Sequence, residues 1–148
     1  MVNVMKRGIT LEFPNKYGCH LGDLLEPIEL TAYNWRIGGE ESYFVNEDAL
    51  GDPLFPDRID GMDGSILREI INIKYYLIFA DLKAFPKGKR VINIETYDEF
   101  INSDCQLVLL VVDSIYVTVY SKDENHIVKL GNNALDKGFY NVEYITDV

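Results

Sequence analysis

The sequence predicts an α+β fold, with a single mainly antiparallel or mixed sheet and three to four short helices packed on it. Three observations lead there. Strand-like segments are joined in pairs by turns that can only reverse the chain, around Gly38-Gly39 and at Asp113-Ser114. Helix-patterned segments intervene singly, without regular alternation. The glycine patterns of a doubly wound nucleotide fold, GxGxxG and GxxxxGK, do not occur.

Residues 7–13 alternate, with Ile9, Leu11 and Phe13 on one side, and Pro14-Asn15 ends the strand. Residues 17–25 set Leu21, Leu24 and Leu25 at helical spacing, and Pro27 stops that helix. Residues 28–37 read as a strand that returns as a hairpin, through Gly38-Gly39 or through residues 38–41. The two loop lengths differ by a whole side-chain period. Both therefore put Tyr33, Trp35, Ile37, Ser42 and Phe44 on one face, and Asn34, Arg36, Glu41, Tyr43 and Val45 on the other. The shorter loop sets Arg36 opposite Glu41 as a cross-strand ion pair.

Residues 46–64 read as a long acidic loop. Glu47, Asp48, Asp52, Asp57, Asp60 and Asp63 stand there against Arg58 alone, and Leu54, Phe55 and Ile59 pin it to the body. Residues 65–73 are helical, with Ile66, Ile70 and Ile73 recurring and Asp63 or Ser65 as the cap. A strand over 74–85, a turn over 86–89 and a short strand over 90–94 follow. Thr96-Tyr97-Asp98-Glu99 matches a capping box opening a short helix with Phe100 and Ile101. Residues 106–112 are almost wholly apolar, as in a strand covered on both faces. After Asp113-Ser114, residues 115–120 alternate cleanly. Ser121-Lys122-Asp123-Glu124 is a second capping box before a helix that uses Ile127, Val128, Leu130 and Leu135, crosses Gly131 and stops at Gly138. Residues 139–146 form the last strand, with Tyr140, Val142 and Tyr144 on one face.

A chain of 148 residues that is 47% hydrophobic suits a single domain with its own core, 1–148. The formal charge of −10 repels a phosphate backbone or an anionic membrane, so neither nucleic acid nor membrane is an expected partner. Lys6 and Arg7 are followed by no apolar stretch of signal-peptide length, and no apolar run approaches the ~18 residues of a bilayer span. The two cysteines, Cys19 and Cys105, match neither a disulfide framework nor a zinc spacing, which points to reduced thiols in a cytoplasm. Met5 is an alternative start, with residues 1–4 as an extension.

Several residues invite chemistry. Cys19-His20 suggests a thiol nucleophile, yet neighbours on a helix point about 100° apart, and His126 lies far along the chain. Asp57, Asp60 and Asp63 lack the alternation and terminal glutamate of a calcium loop. Glu40 and Glu41, as paired acids for glycoside chemistry, sit at a turn and face water. Arg36, beside Asn34 and Tyr43, can grip a carboxylate or phosphate with its planar fork, or pair with Glu41. Lys83, Lys87, Lys89 and Arg90 form a basic cluster across a turn. No catalytic set, metal site or cofactor motif is expected.

The segments Lys6-Arg7-Gly8-Ile9, Phe13-Pro14-Asn15-Lys16-Tyr17-Gly18 and Tyr33-Asn34-Trp35-Arg36-Ile37-Gly38-Gly39-Glu40-Glu41-Ser42-Tyr43 resemble a domain-of-unknown-function family of small acidic uncharacterised proteins from spore-forming Gram-positive bacteria. The resemblance runs from about Met5 to the end and implies no activity or catalytic residues. The leading expectation is a non-enzymatic protein-binding module whose carboxylates meet a basic protein partner, with an immunity-factor-like role as one form. The alternative is a small-ligand-binding protein or enzyme with a pocket around Trp35, Arg36 and Tyr43, bordered by Glu40 and Glu41.

Overall fold

A run of strand-forming residues, Tyr75–Pro86, dominates the architecture. It makes one strand of twelve residues, β6, about 40 Å long at the usual rise. A computed structural model describes residues 5–38, 41–55 and 59–146, with the backbone alone for 59 and 60. The other strands have five to seven residues: β1 (Lys6–Glu12), β2 (Tyr33–Ile37), β3 (Glu41–Asn46), β4 (Ala49–Pro53), β5 (Ile59–Asp63), β7 (Leu107–Val112), β8 (Tyr116–Ser121) and β9 (Tyr140–Thr146). Interspersed are α1 (His20–Leu25), α2 (Gly64–Ile71), α3 (Tyr97–Ile101) and α4 (Glu124–Asp136). Among the described residues the nine strands form one sheet in which every pairing is antiparallel. That is an α+β arrangement. Among the described residues no helix is long and apolar enough to cross a membrane.

The main path runs β4-β3-β6-β7-β8-β1-β9. β2 and β3 do not pair with each other, so the hairpin expected around Gly38-Gly39 is absent. Both strands lie end to end along one edge of β6. β3 takes its first half, with Ser42 opposite Leu77, and β2 its second half, with Arg36 opposite Lys83. The physical reason is edge satisfaction. A five-residue strand cannot cover a twelve-residue edge, and unpaired backbone there would cost hydrogen bonds. β5 then pairs with the outer edge of β2, and β4 with that of β3.

Other expectations are corrected in the same way. The supposed acidic loop over 46–64 contains β4 and β5. Its Glu47-Asp48 turn has both residues at positive φ, 53° and 61°, the geometry of a tight hairpin. Residues 90–94 form no strand. In the first capping box the Thr96 hydroxyl accepts the Glu99 N–H at 3.1 Å, while Glu99 reaches the N–H of Glu95 instead of Thr96. The second box is shifted: Asp123 is the cap, accepting the Asn125 N–H at 2.9 Å, and Ser121 accepts the N–H of Asp123. Gly131 stands inside α4 because Tyr144 crosses there; an added Cβ would lie 2.3 Å from its hydroxyl.

The sheet has two covered faces. On the larger, Ile9, Leu11, Trp35, Ile37, Leu82, Ala84, Leu109 and Val119 join residues of α1, α2 and α4 in the main core. The Tyr75 hydroxyl ties this layer together: it donates to the Ile71 carbonyl at 2.6 Å and accepts the Leu21 and Gly22 N–H groups. On the other face a smaller cluster forms from Phe85, Ile94, Phe100, Cys105 and Val108. Residues 106–112 do therefore contribute to both layers, as their apolar run implies.

Gly64 begins α2 where the helix meets the 3-10 turn Leu30–Ala32, and a Cβ there would lie 1.8 Å from the Leu30 carbonyl oxygen. Gly64→Ala must separate the two segments and is expected to cost about 3 kcal/mol in denaturant unfolding. A loss below about 0.5 kcal/mol would contradict this packing. Asp63 caps the same helix. The Lys87 ammonium at 2.5 Å, and then the Ser65 N–H and hydroxyl, hold its carboxyl well below the usual carboxylate range. Because the folded value is depressed, the stabilisation is present above about pH 4 and is lost as pH falls further. The melting-temperature gap between the wild type and Asp63→Asn should narrow on acidification below about pH 4; a gap unchanged by acid would refute the assignment.

Candidate functional site

Period-two alternation decides which charges reach the smaller face. Trp35 and Ile37 of β2 are fully buried in the main core, which turns Arg36 the opposite way. Leu82 and Ala84 of β6 do the same for Lys83. Since Arg36 and Lys83 are register partners, the two cations emerge side by side. Each is only 7% exposed. The Lys83 ammonium bonds both carboxylate oxygens of Asp81, at 2.7 and 2.9 Å.

These residues form one wall of a cavity of about 540 Å³. Its floor is Val108 and Leu110 of β7, and its roof is Ile94 with Phe100 of α3. Tyr97 and Tyr120 close the far side, their rings edge-on at 5.2 Å, with the Arg7 guanidinium 4.6 Å from the centre of the Tyr97 ring. Asn93, Glu95 and Thr96 stand exposed at the mouth, where Asn93 donates to Glu95 at 3.1 Å. The volume is within the range of small-molecule sites, and the lining combines apolar surface with a few convergent polar groups. A second concavity of about 370 Å³, over β1, β8 and β9, is lined by Glu12 and Glu143 and by no described cation.

The structure divides the residues singled out in the sequence. Arg36 lines the cavity. Trp35 lies in the main core on the other side of the sheet, its indole N–H donating to the Leu30 carbonyl at 3.2 Å. Tyr43, half-buried on β3, is the register partner of Tyr76 and Pro53 and is not part of the lining. Glu41 is exposed and opposite Phe79, so the expected Arg36–Glu41 pair gives way to a β2 register with Lys83 on one side and Asp60 on the other. Glu40 lies outside the described residues. Of the basic cluster, Lys83 points into the cavity while Lys87 pairs with Asp63. The sequence signal for Asp81 and Lys83 was available: two charges at i and i+2 inside an otherwise apolar strand.

The thiols and imidazoles are occupied elsewhere. Cys19 donates to Asp23 at 3.7 Å, and burial, then the Asp23 charge, pushes its thiol up. His20 meets the Lys16 carbonyl at 3.0 Å and packs on Phe13 and Phe139. Burial pushes the Cys105 thiol up to about 11, far from the thiolate a nucleophile needs. His126 lies 3.4 Å from the Ser121 hydroxyl and 3.5 Å from an Asp123 oxygen, but both of those groups are engaged in capping α4. Among the described residues no three potential ligands gather to hold a metal ion. Asp57, and the side chain of Asp60, lie outside the description.

Comparison with known proteins agrees with the resemblance read from the sequence. Residues 6–148 match the family described as "Protein of unknown function (DUF2691)". The chain is 46% identical over 145 residues, 97% of its own length and 94% of the relative's, to a protein of Bacillus subtilis (strain 168) named "Uncharacterized protein YncE". No solved structure matches it. With the match spanning nearly every residue that builds the sheet and its cavity, the chain belongs to this family of unknown function.

Proposed function

We propose that this chain is a small-molecule-binding protein and that the cavity over β2, β6, β7 and β8 is its site. One observation carries the reading: Arg36 and Lys83 are register partners on adjacent strands and are both buried in the cavity wall. Asp81 offsets the Lys83 charge and Arg36 is itself engaged, yet burying two cations side by side still carries a desolvation cost. Proteins accept such local conflict chiefly where a site needs it. The expected pocket thus keeps Arg36 and exchanges Trp35 and Tyr43 for Lys83, Tyr97 and Tyr120. A cytoplasmic setting suits it, because Cys19 and Cys105 are both free thiols.

A second reading, a protein-binding module, is favoured by the arm formed by β3 and β4. β4 is exposed along its whole length and carries Asp52, next to the exposed turn acids Glu47 and Asp48. An acidic arm of this kind would meet a basic partner, an immunity-type role being one example, and its association would weaken steeply with salt.

The first reading is tested by filling the cavity. Leu110→Trp adds ring volume at the floor and leaves the two cations in place. Small molecules that raise the melting temperature of the wild type should lose at least about tenfold in affinity for the variant. Amide-shift mapping on the unaltered chain should place them at Leu110, Tyr97 and Lys83. Equal binding to both forms, or shifts confined to other elements, would overturn the proposal.

A further inference from the structure

We infer that the cavity takes an uncharged molecule with an aromatic body and a small polar head; this rests on the reading of the cavity as a small-molecule site. The first observation is charge balance. The described lining carries two cations, Arg36 and Lys83, and two carboxylates, Asp81 and Glu95. Each buried cation is already held: the Lys83 ammonium bonds both Asp81 oxygens, at 2.7 and 2.9 Å, and Arg36 is itself engaged. An anion entering the cavity would shed its water without gaining an uncommitted counter-charge, and Asp81 and Glu95 would repel it. A cation fares no better. It would face Arg36 and Lys83 in the wall, and the rings it could stack on already hold cations of the chain. Arg7 lies 4.6 Å from the centre of the Tyr97 ring, and Lys122 lies 5.3 Å from that of Phe100. A neutral guest escapes both penalties.

The second observation is what the strand register lays side by side. Arg36, Lys83, Val108 and Tyr120 are successive partners on β2, β6, β7 and β8. The surface therefore passes from a balanced charged end, over an aliphatic side chain, to an aromatic ring. From β6 to β8 is two strand spacings, about 10 Å. At the aromatic end the Tyr97 ring neighbours two others, with its centre 5.2 Å from that of Tyr120 and 5.8 Å from that of Phe100. All three rings line the cavity. A flat aromatic body gains there from burial and, in addition, from offset or edge-on ring contacts that an alkyl body cannot make. The polar head then lies near the Asp81–Lys83 pair, a fixed dipole that suits an amide or a hydroxyl better than either ion.

The probes are 3-phenylpropionamide, 3-phenylpropionate, 3-phenylpropylamine and propionamide, each titrated at millimolar concentration into the unaltered chain near neutral pH. Backbone amide shifts of Lys83, Tyr97 and Leu110 give the readout. The neutral phenyl amide should bind at least about tenfold more tightly than the carboxylate or the ammonium of the same body, and than propionamide, which lacks the ring. Its affinity should change less than about twofold on raising salt tenfold, because no net charge is screened. Asp81→Asn removes the charge that offsets Lys83 and unbalances the lining, so the carboxylate-to-amide affinity ratio should rise at least about tenfold. The probe series is read on the wild type, so its outcome stands whether or not that variant folds. Equal or tighter binding of the carboxylate or the ammonium at these residues overturns the uncharged class and leaves the small-molecule site standing. Equal binding of propionamide overturns the aromatic body. An unchanged ratio in a folded Asp81→Asn chain contradicts the charge balance. If no probe shifts the cavity residues, the inference falls, while cavity filling by Leu110→Trp still decides the broader reading.

Discussion

The length of β6 is the constraint from which the rest follows. Twelve residues of strand present a backbone edge that no five-residue neighbour can satisfy. On one side the edge is shared between β3 and β2, laid end to end; on the other, β7 pairs with residues 80–84. This division keeps β2 and β3 from pairing with each other as a hairpin. It also sends β4 and β5 outward as separate edges. Were β2 to leave β6, Arg36 would lose Lys83 as its neighbour and the cavity would lose a wall.

Trp35 sets the facing of that wall. Burying a tryptophan side chain removes about 200 Å² from water, worth up to about 5 kcal/mol. Its indole N–H is also satisfied, by the Leu30 carbonyl. The residue next to it must then point through the other side of the sheet, whatever its own preference. Arg36 is that residue, and Lys83, between Leu82 and Ala84, is placed by the same logic. The main core thereby positions two cations on the smaller face, where α3 and the residues just before it line the same cavity. The main core and the cavity are built from opposite faces of the same strands.

Much of this was legible along the chain. Alternation marked β1 and β8, apolar run length marked β7, and Asp113-Ser114 marked the turn between β7 and β8, where both residues take positive φ. Strand partners were not legible. The Gly38-Gly39 signal is local, and it lost to a long-range pairing that only the length of 74–85 hints at. The acids of 46–64 hid β4 because an exposed edge strand needs no apolar face. Of the residues that line the cavity, Arg36 stood out in the sequence by its strand position and its chemistry. Tyr97, Tyr120 and Phe100 were not, since α3 reaches the sheet through a segment with no periodicity of its own. Trp35 was drawn into the expected pocket by proximity in sequence although it faces the main core, and Tyr43 by a hairpin that does not form.

The most direct measurement is a set of backbone nuclear Overhauser contacts across the strands. The shared edge of β6 requires contacts from Arg36 to Lys83 and from Ser42 to Leu77, with none joining β2 to β3. Contacts between Arg36 and Glu41 would instead mean that β2 and β3 close on each other, and the cavity with its paired cations would not exist.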